Sequence, residues 1–273
     1  MNLHGPIPAE RYLPYLTSSD IAQLPKTHAA VILPVASIEQ HGPHLPVASD
    51  TLIGQVLLAR ALERAPQDAH LWVLPPLVYG KSNEHRAFPG TFTLSATTLS
   101  AVIHEIADGV ARSGFRRLVL LNSHGGNPGV LSHVARDVRE ATGLMVFPLT
   151  VFLMGLPDEE YDEEEAAWGT HAGEWETSLL LHLAPELVRT DRIESLGQLP
   201  KMPEGVEHLS LRGPVTFAWL SQDISTTGVM GDPRKSTPER GERTADMIVE
   251  KLTAVLCEMA RFEMPQPAGG DPS

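Results

Sequence analysis

Two stretches of the chain are apolar without a break, Ala29-Ala30-Val31-Ile32-Leu33 and Leu118-Val119-Leu120-Leu121. Runs this short and continuous suit strands covered on both faces, as in a parallel sheet. Elsewhere apolar residues return at helical spacing. Leu52, Ile53, Val56, Leu57 and Ala61 outline one amphipathic helix, Leu99, Val102, Ile103, Ile106 and Val110 a second, and Val130, Val134 and Val138 a third. Further strands are predicted over Leu71 to Leu77, Leu144 to Phe152 and Pro214 to Leu220. Gly173 through Leu187 reads as a helix built on Leu179, Leu180 and Leu183, and Ser236-Thr237-Pro238-Glu239 opens a last helix with Ile248, Leu252, Val255, Met259 and Phe262 on its apolar face. The alternation predicts a single α/β domain over residues 1–262, a mostly parallel sheet flanked by helices. Residues 263–273, rich in Pro and Gly, read as a frayed tail.

The polar residues gather where the strands should end, which is where open α/β sheets bind ligands. After the first strand come Glu39-Gln40-His41-Gly42-Pro43-His44-Leu45-Pro46 and then Asp50. Glu39 and His41 are two apart, so on an extended chain they project from one face, and two carboxylates with an imidazole suit a Zn, Mn or Fe site. Simpler roles stand beside this. Asp50 precedes a helix and can be its N-cap, His44 can satisfy a turn carbonyl, and Glu39 can be a solvated loop acid. The strand ending at Leu121 runs into Asn122-Ser123-His124-Gly125-Gly126-Asn127-Pro128, in which the glycines let the backbone approach a ligand and Asn127-Pro128 reads as a helix start. A third cluster, His171-Ala172-Gly173-Glu174-Trp175-Glu176-Thr177-Ser178, opens the helix beginning at Gly173. His171 there suits a general acid or base, Glu174 or Glu176 a ligand, or the acids simply favour the helix dipole.

Charge and cysteine content narrow the function. A net charge of −13 opposes binding to nucleic acid or anionic membranes. The single cysteine, Cys257, sits in an amphipathic pattern and cannot build a disulfide framework within one chain. No apolar run reaches about 18 residues, and the first residues lack a basic region followed by an apolar core, so a soluble cytoplasmic protein is expected. The acid run from Pro157 to Trp168 reads as solvated surface, or as a flap before His171.

These motifs, with Glu84-His85-Arg86-Ala87-Phe88-Pro89-Gly90-Thr91 and Gly228-Val229-Met230-Gly231-Asp232-Pro233 followed by Thr237 and Gly241, resemble the creatininase (creatinine amidohydrolase) family over roughly residues 10 to 262. The resemblance implies a creatininase-like α/β/α sandwich and two divalent ions (Zn, Mn or Fe) on Glu39, His41, Asp50 and His124, with Asp50 bridging. Creatininase has a further ligand, a Glu, where this chain has Gly126. Glu176 is the candidate to replace it. The resemblance further implies His171 as proton shuttle, Trp168 covering the substrate, and a homo-oligomer, a hexamer; Ser82, which follows another strand end at Tyr79-Gly80, can line the same pocket. The expected activity is hydrolysis of a non-peptide C–N bond in a small, cyclic or formyl amide. The alternatives are a peptidase trimming a short modified peptide and a catalytically silent metal-binding protein.

Overall fold

The computed structural model describes residues 3–154, 165, 168–194, 196, 204–211 and 215–265. Four strands form a parallel sheet: β1 (Ala29–Val35), β2 (His70–Val73), β3 (Arg117–Asn122) and β4 (Met145–Thr150), in the order β2-β1-β3-β4. Val31 lies opposite both Trp72 and Leu118, and Leu120 opposite Leu33 and Pro148. The helices are α1 (Ser18–Gln23), α2 (Ser49–Arg64), α3 (Ala96–Arg112), α4 (Pro128–Thr142), α5 (Glu174–Leu183), the single turn α6 (Ser221–Ile224) and α7 (Pro238–Arg261).

Two cores explain why β1 is apolar at every position. Ala30 and Ile32 point to one face, where they meet Ile53, Leu57 and Leu58 of α2 and Ile248 and Leu252 of α7. Ala29, Val31, Leu33 and Val35 point to the other, against Leu99 and Ile103 of α3 and Leu131, Val134 and Val138 of α4. Successive side chains on a strand alternate faces, so only a strand covered on both sides buries all of them. The result is the α/β/α sandwich that the pattern implied.

Several boundaries differ from the sequence expectation, each for a local reason. The strand expected over Leu71 to Leu77 ends at Val73, because Pro75 and Pro76 remove ladder donors, although Leu74 and Leu77 still donate to Ile32 and Pro34. The strand expected to reach Phe152 ends at Thr150 in a 3-10 turn, Val151–Met154. The helix expected to reach Leu187 stops at Leu183, and Pro185–Leu187 form a separate 3-10 turn. No strand forms over residues 215–220; one isolated bridge joins Ser210 to Thr216, and Val215, Phe217 and Leu220 are exposed. Without an adjacent strand, β-propensity there has nothing to pair with. Pro214 lies outside the described residues. Phe262 lies just past α7 and packs edge-on against Phe147. The acid run is described only at Glu165 and Trp168, and the tail only at 263–265. Among the described residues no helix is long and apolar enough to cross a membrane.

The topology fixes where ligands can bind. β1 and β3 are neighbours, yet their following helices, α2 and α4, leave to opposite faces of the sheet. The crevice opened between the carboxyl ends of such a pair is a topological switch point.

Candidate metal centre

The first wall of the crevice is the loop after β1. Glu39 is fixed at its backbone by donation to Val47 O, 3.0 Å away, and its side chain is buried. The His41 Nδ1–H donates to Glu39 O at 3.1 Å, which turns Nε2 into the crevice, buried with no hydrogen-bond partner and 3.5 Å from Asp50 Oδ1. Asp50 belongs to the first turn of α2, but the N-cap is Ala48 and no side chain caps that helix. Its carboxylate therefore faces the crevice instead of the helix end.

The second wall follows β3. The Asn122 side chain accepts from His124 N and donates to His124 O, so the backbone of His124 is held by its own strand end. The ring then repeats the arrangement of His41: Nε2–H donates to Lys81 O at 2.9 Å, while Nδ1 lies 3.0 Å from Asp50 Oδ2 and 3.2 Å from Glu39 Oε2. Asn127 starts α4 without a side-chain cap. Instead it joins Lys81 N, Ala36 O and Asn122 Oδ1 below the site.

The third wall comes from α5 and the residues before it. His171 is pinned by paired backbone hydrogen bonds with Met230, and its Nε2–H donates to Gln40 O at 2.6 Å. That leaves Nδ1 3.6 Å from Glu39 Oε1. Ala172 takes a left-handed conformation, φ 54°, costly for a residue with a Cβ, and its N–H donates to the Glu176 carboxylate. The turn thus brings His171 and Glu176 to the same cavity. Glu174, whose role the sequence leaves open, points elsewhere, into a buried ion pair with Arg240 of α7. Glu165 accepts from Glu174 N and Asp232 N, and bare Gly173 and Gly231 make room for its carboxylate.

Three groups of side chains have ligand atoms within 4.8 Å of one another: Glu39, Asp50 and His124; His41, Asp50 and Glu176; and Glu39, His41 and His171. Asp50 is common to the first two. Oxygen and imidazole donors at this spacing fit Zn or Mn, and each of the three histidines keeps its outer nitrogen on a backbone carbonyl, the arrangement that orients a ligating ring. The electrostatics favour a cation in the same place. Burial opposes charge on His41 and His124, but Asp50, Glu39 and, for His41, Glu176 outweigh it, raising His41 to about 9 and His124 well above its usual value. Glu39 is held well below the usual carboxylate range, because His124, His85 and His171 outweigh its burial. Burial, with His85 and His41 nearby, pushes His171 well below 6.5, so its free nitrogen is a neutral acceptor. Burial raises Glu176 to about 7.

Gly126, the position of the missing acid, has no room for a side chain: a Cβ there would collide with Glu84 Oε1, His124 Nε2 and Lys81 O. Glu176 instead stands with His41 and Asp50. Ser82 does not line the cavity; it is buried and donates to Glu39 Oε2. Trp168 is half-buried and also absent from the lining, where Trp175 and Trp219 stand. His44 accepts no catalytic position, its Nε2 pairing with Thr177 Oγ1 at 2.9 Å. His85 bears more on the site than its motif suggested. Its Nδ1 is bound by Gln40 and Ser221, and its Nε2 lies 3.5 Å from Glu39 Oε1. The sequence pattern does not single out Trp219, and Glu165 lies inside the acid run read as surface; its bond from Asp232 N, 67 residues away, has no local signal. The cavity measures about 320 Å³, and Phe152, Leu153, Trp175, Leu211 and Trp219 line it together with the donor residues.

A family profile for creatininase, described as creatinine amidohydrolase, matches residues 14–256. A mycofactocin precursor peptide peptidase of Mycobacterium ulcerans is 35% identical over 260 residues, covering 93% of each chain. Creatinine amidohydrolase of Pseudomonas putida is 32% identical over 247 residues, covering 84% of this chain and 88% of that one. Solved structures of creatininase, a Zn–Zn mutant form and a Mn form, superpose with TM-scores of 0.71 and 0.70 at 27% and 26% identity, covering 90% and 91% of this chain and 97% and 98% of theirs.

Proposed function

The chain belongs to the creatininase family, and from that premise we propose that it is a divalent-metal-dependent hydrolase that cleaves an amide C–N bond in a short peptide. The observation that carries the reading is Asp50, one carboxylate shared by two three-residue donor groups on separate elements of the fold. We assign Glu39, Asp50 and His124 to one cation and His41, Asp50 and Glu176 to the other. Cations held there supply Lewis acidity, polarising a carbonyl and bringing water to nucleophilic strength near neutral pH.

The chain's own residues do the rest. Lys81 O and Glu39 O hold the outer nitrogens of His124 and His41, so neither ring can turn away. His171 receives a proton at Nδ1 and delivers it to the leaving nitrogen; Gln40 O keeps the other nitrogen protonated throughout. The apolar wall of Trp175, Trp219 and Phe152 holds the substrate and keeps bulk water from the donors.

The peptide substrate rests on the likeness to mycofactocin precursor peptide peptidases, which spans 93% of both chains. The likeness to creatinine amidohydrolase supports a second reading, a small cyclic or formyl amide. The test is to load the purified protein with Zn or Mn, incubate it with a panel of short peptides, creatinine and simple formamides, and follow products by mass spectrometry. Peptide cleavage that stops with a chelator is the expected outcome. Turnover of creatinine or formamides alone would shift the substrate to the second reading, and bound metal without any turnover would leave a silent metal-binding protein.

A further inference from the structure

Five carboxylates line the cavity: Glu39, Asp50, Glu84, Glu165 and Glu176. Three of them belong to the donor groups, and Glu165 is taken up by the backbone N–H groups of Glu174 and Asp232. Glu84 is left over. Its side chain is only 16% exposed; its own backbone N–H bonds the carboxyl, the Lys81 charge bears on it, and His124 Nε2 lies 3.8 Å away with its proton on Lys81 O. Burial outweighs these contacts, so a carboxylate in this place gains from a further cationic partner inside the cavity. No Lys or Arg is among the described lining residues to serve as one.

The surroundings reserve this place. Gly126 leaves its side-chain space to the Glu84 oxygen, and Gly125, whose Cβ would meet nothing within 4 Å, lines the same cavity. Trp175 and Trp219 also line the cavity, and aromatic rings attract cations. We propose that Glu84 is a specificity-determining residue that receives a protonated amino group of the substrate, beside the amide held at the donor cluster. The assignment rests on the reading of the cavity as a site for an amide substrate.

Benzylamine and benzyl alcohol, alike in shape and different in charge, test it by quenching of tryptophan fluorescence in the metal-loaded protein at neutral pH. Benzylamine should bind, and Glu84→Gln should weaken it at least tenfold while leaving benzyl alcohol binding and metal content unchanged. Failure of benzylamine to bind the parent protein overturns the proposal, as does an unchanged affinity in the variant or an equal loss for both probes. Loss of metal from the variant also overturns it, making Glu84 a support of His124. If Glu84→Gln does not fold, Glu84→Asp, which withdraws the charge from the cavity, must meet the same criterion. Elemental analysis of the parent keeps the two levels apart, because a protein that takes up no metal removes the hydrolase reading itself, whereas intact metal with no preference for the amine removes only Glu84.

Discussion

Asp50 Oδ2 stands 3.0 Å from His124 Nδ1, joining the first turn of α2 to the carboxyl end of β3. Asp50 lies on α2 and His124 in the loop leading to α4, helices that leave the sheet toward opposite faces, so their contact depends on β1 and β3 being adjacent strands. Both are buried; the other ring nitrogen of His124 is bonded to Lys81 O, and Asp50 Oδ1 lies 3.5 Å from His41 Nε2.

Replacing Asp50 by Ala should remove most of the bound metal and abolish hydrolysis, because both donor groups lose their shared oxygen donors. Asp50 does not cap α2, so the helix should survive. Circular dichroism with elemental analysis checks this, and a variant that retains full metal sinks the bridging assignment.

His124→Ala should lower metal occupancy with little effect on the fold. The residue is held by Asn122 and by Lys81 O on a glycine-rich loop, and apolar packing contributes little there. Equal metal content in variant and parent would remove it from the donor set.

His171→Ala separates proton transfer from ligation. Metal content should hold while the rate falls by about two to four orders of magnitude, the usual contribution of general acid–base catalysis. Metal lost together with rate would instead place Nδ1 among the ligands, as the grouping of His171 with Glu39 and His41 permits.

Gly126→Ala should be destabilising by about 1–3 kcal/mol, the range for overpacking, because the new methyl meets Glu84, His124 Nε2 and the Lys81 carbonyl together. It should also weaken metal binding by pushing the His124 ring off Lys81 O. Thermal denaturation and metal titration give the two readouts, and a variant indistinguishable from the parent in both contradicts the packing.

Chelation should lower thermal stability. Metal bound only by the folded chain adds about 4 kcal/mol at a thousandfold excess over its dissociation constant. A scan with and without chelator measures the effect, and coincident melting curves argue against a folded-state site.

The sequence by itself determined the periodic elements and their order. Apolar runs of four or five residues suit strands covered twice, and their alternation with helical stripes suits helices on both faces of a sheet, so the sandwich was legible. Glu39, His41, Asp50 and His124 were legible too, since each follows a strand or opens a helix where a parallel sheet keeps its ligands. Roles that depend on direction were not. Ser82 turns behind Glu39, Trp175 and Trp219 line the cavity in which Trp168 does not appear, and Glu174 faces Arg240 while its near neighbour Glu176 faces His41 and Asp50. Two residues apart on a helix point in different directions, and which direction meets the site is decided by how α5 packs against α7. Gly126 shows the same division. The chain announces a missing side chain there, but only the tertiary structure puts the Glu84 carboxylate in its space, because the turn that carries Glu84 reaches His124 from a distant part of the sequence.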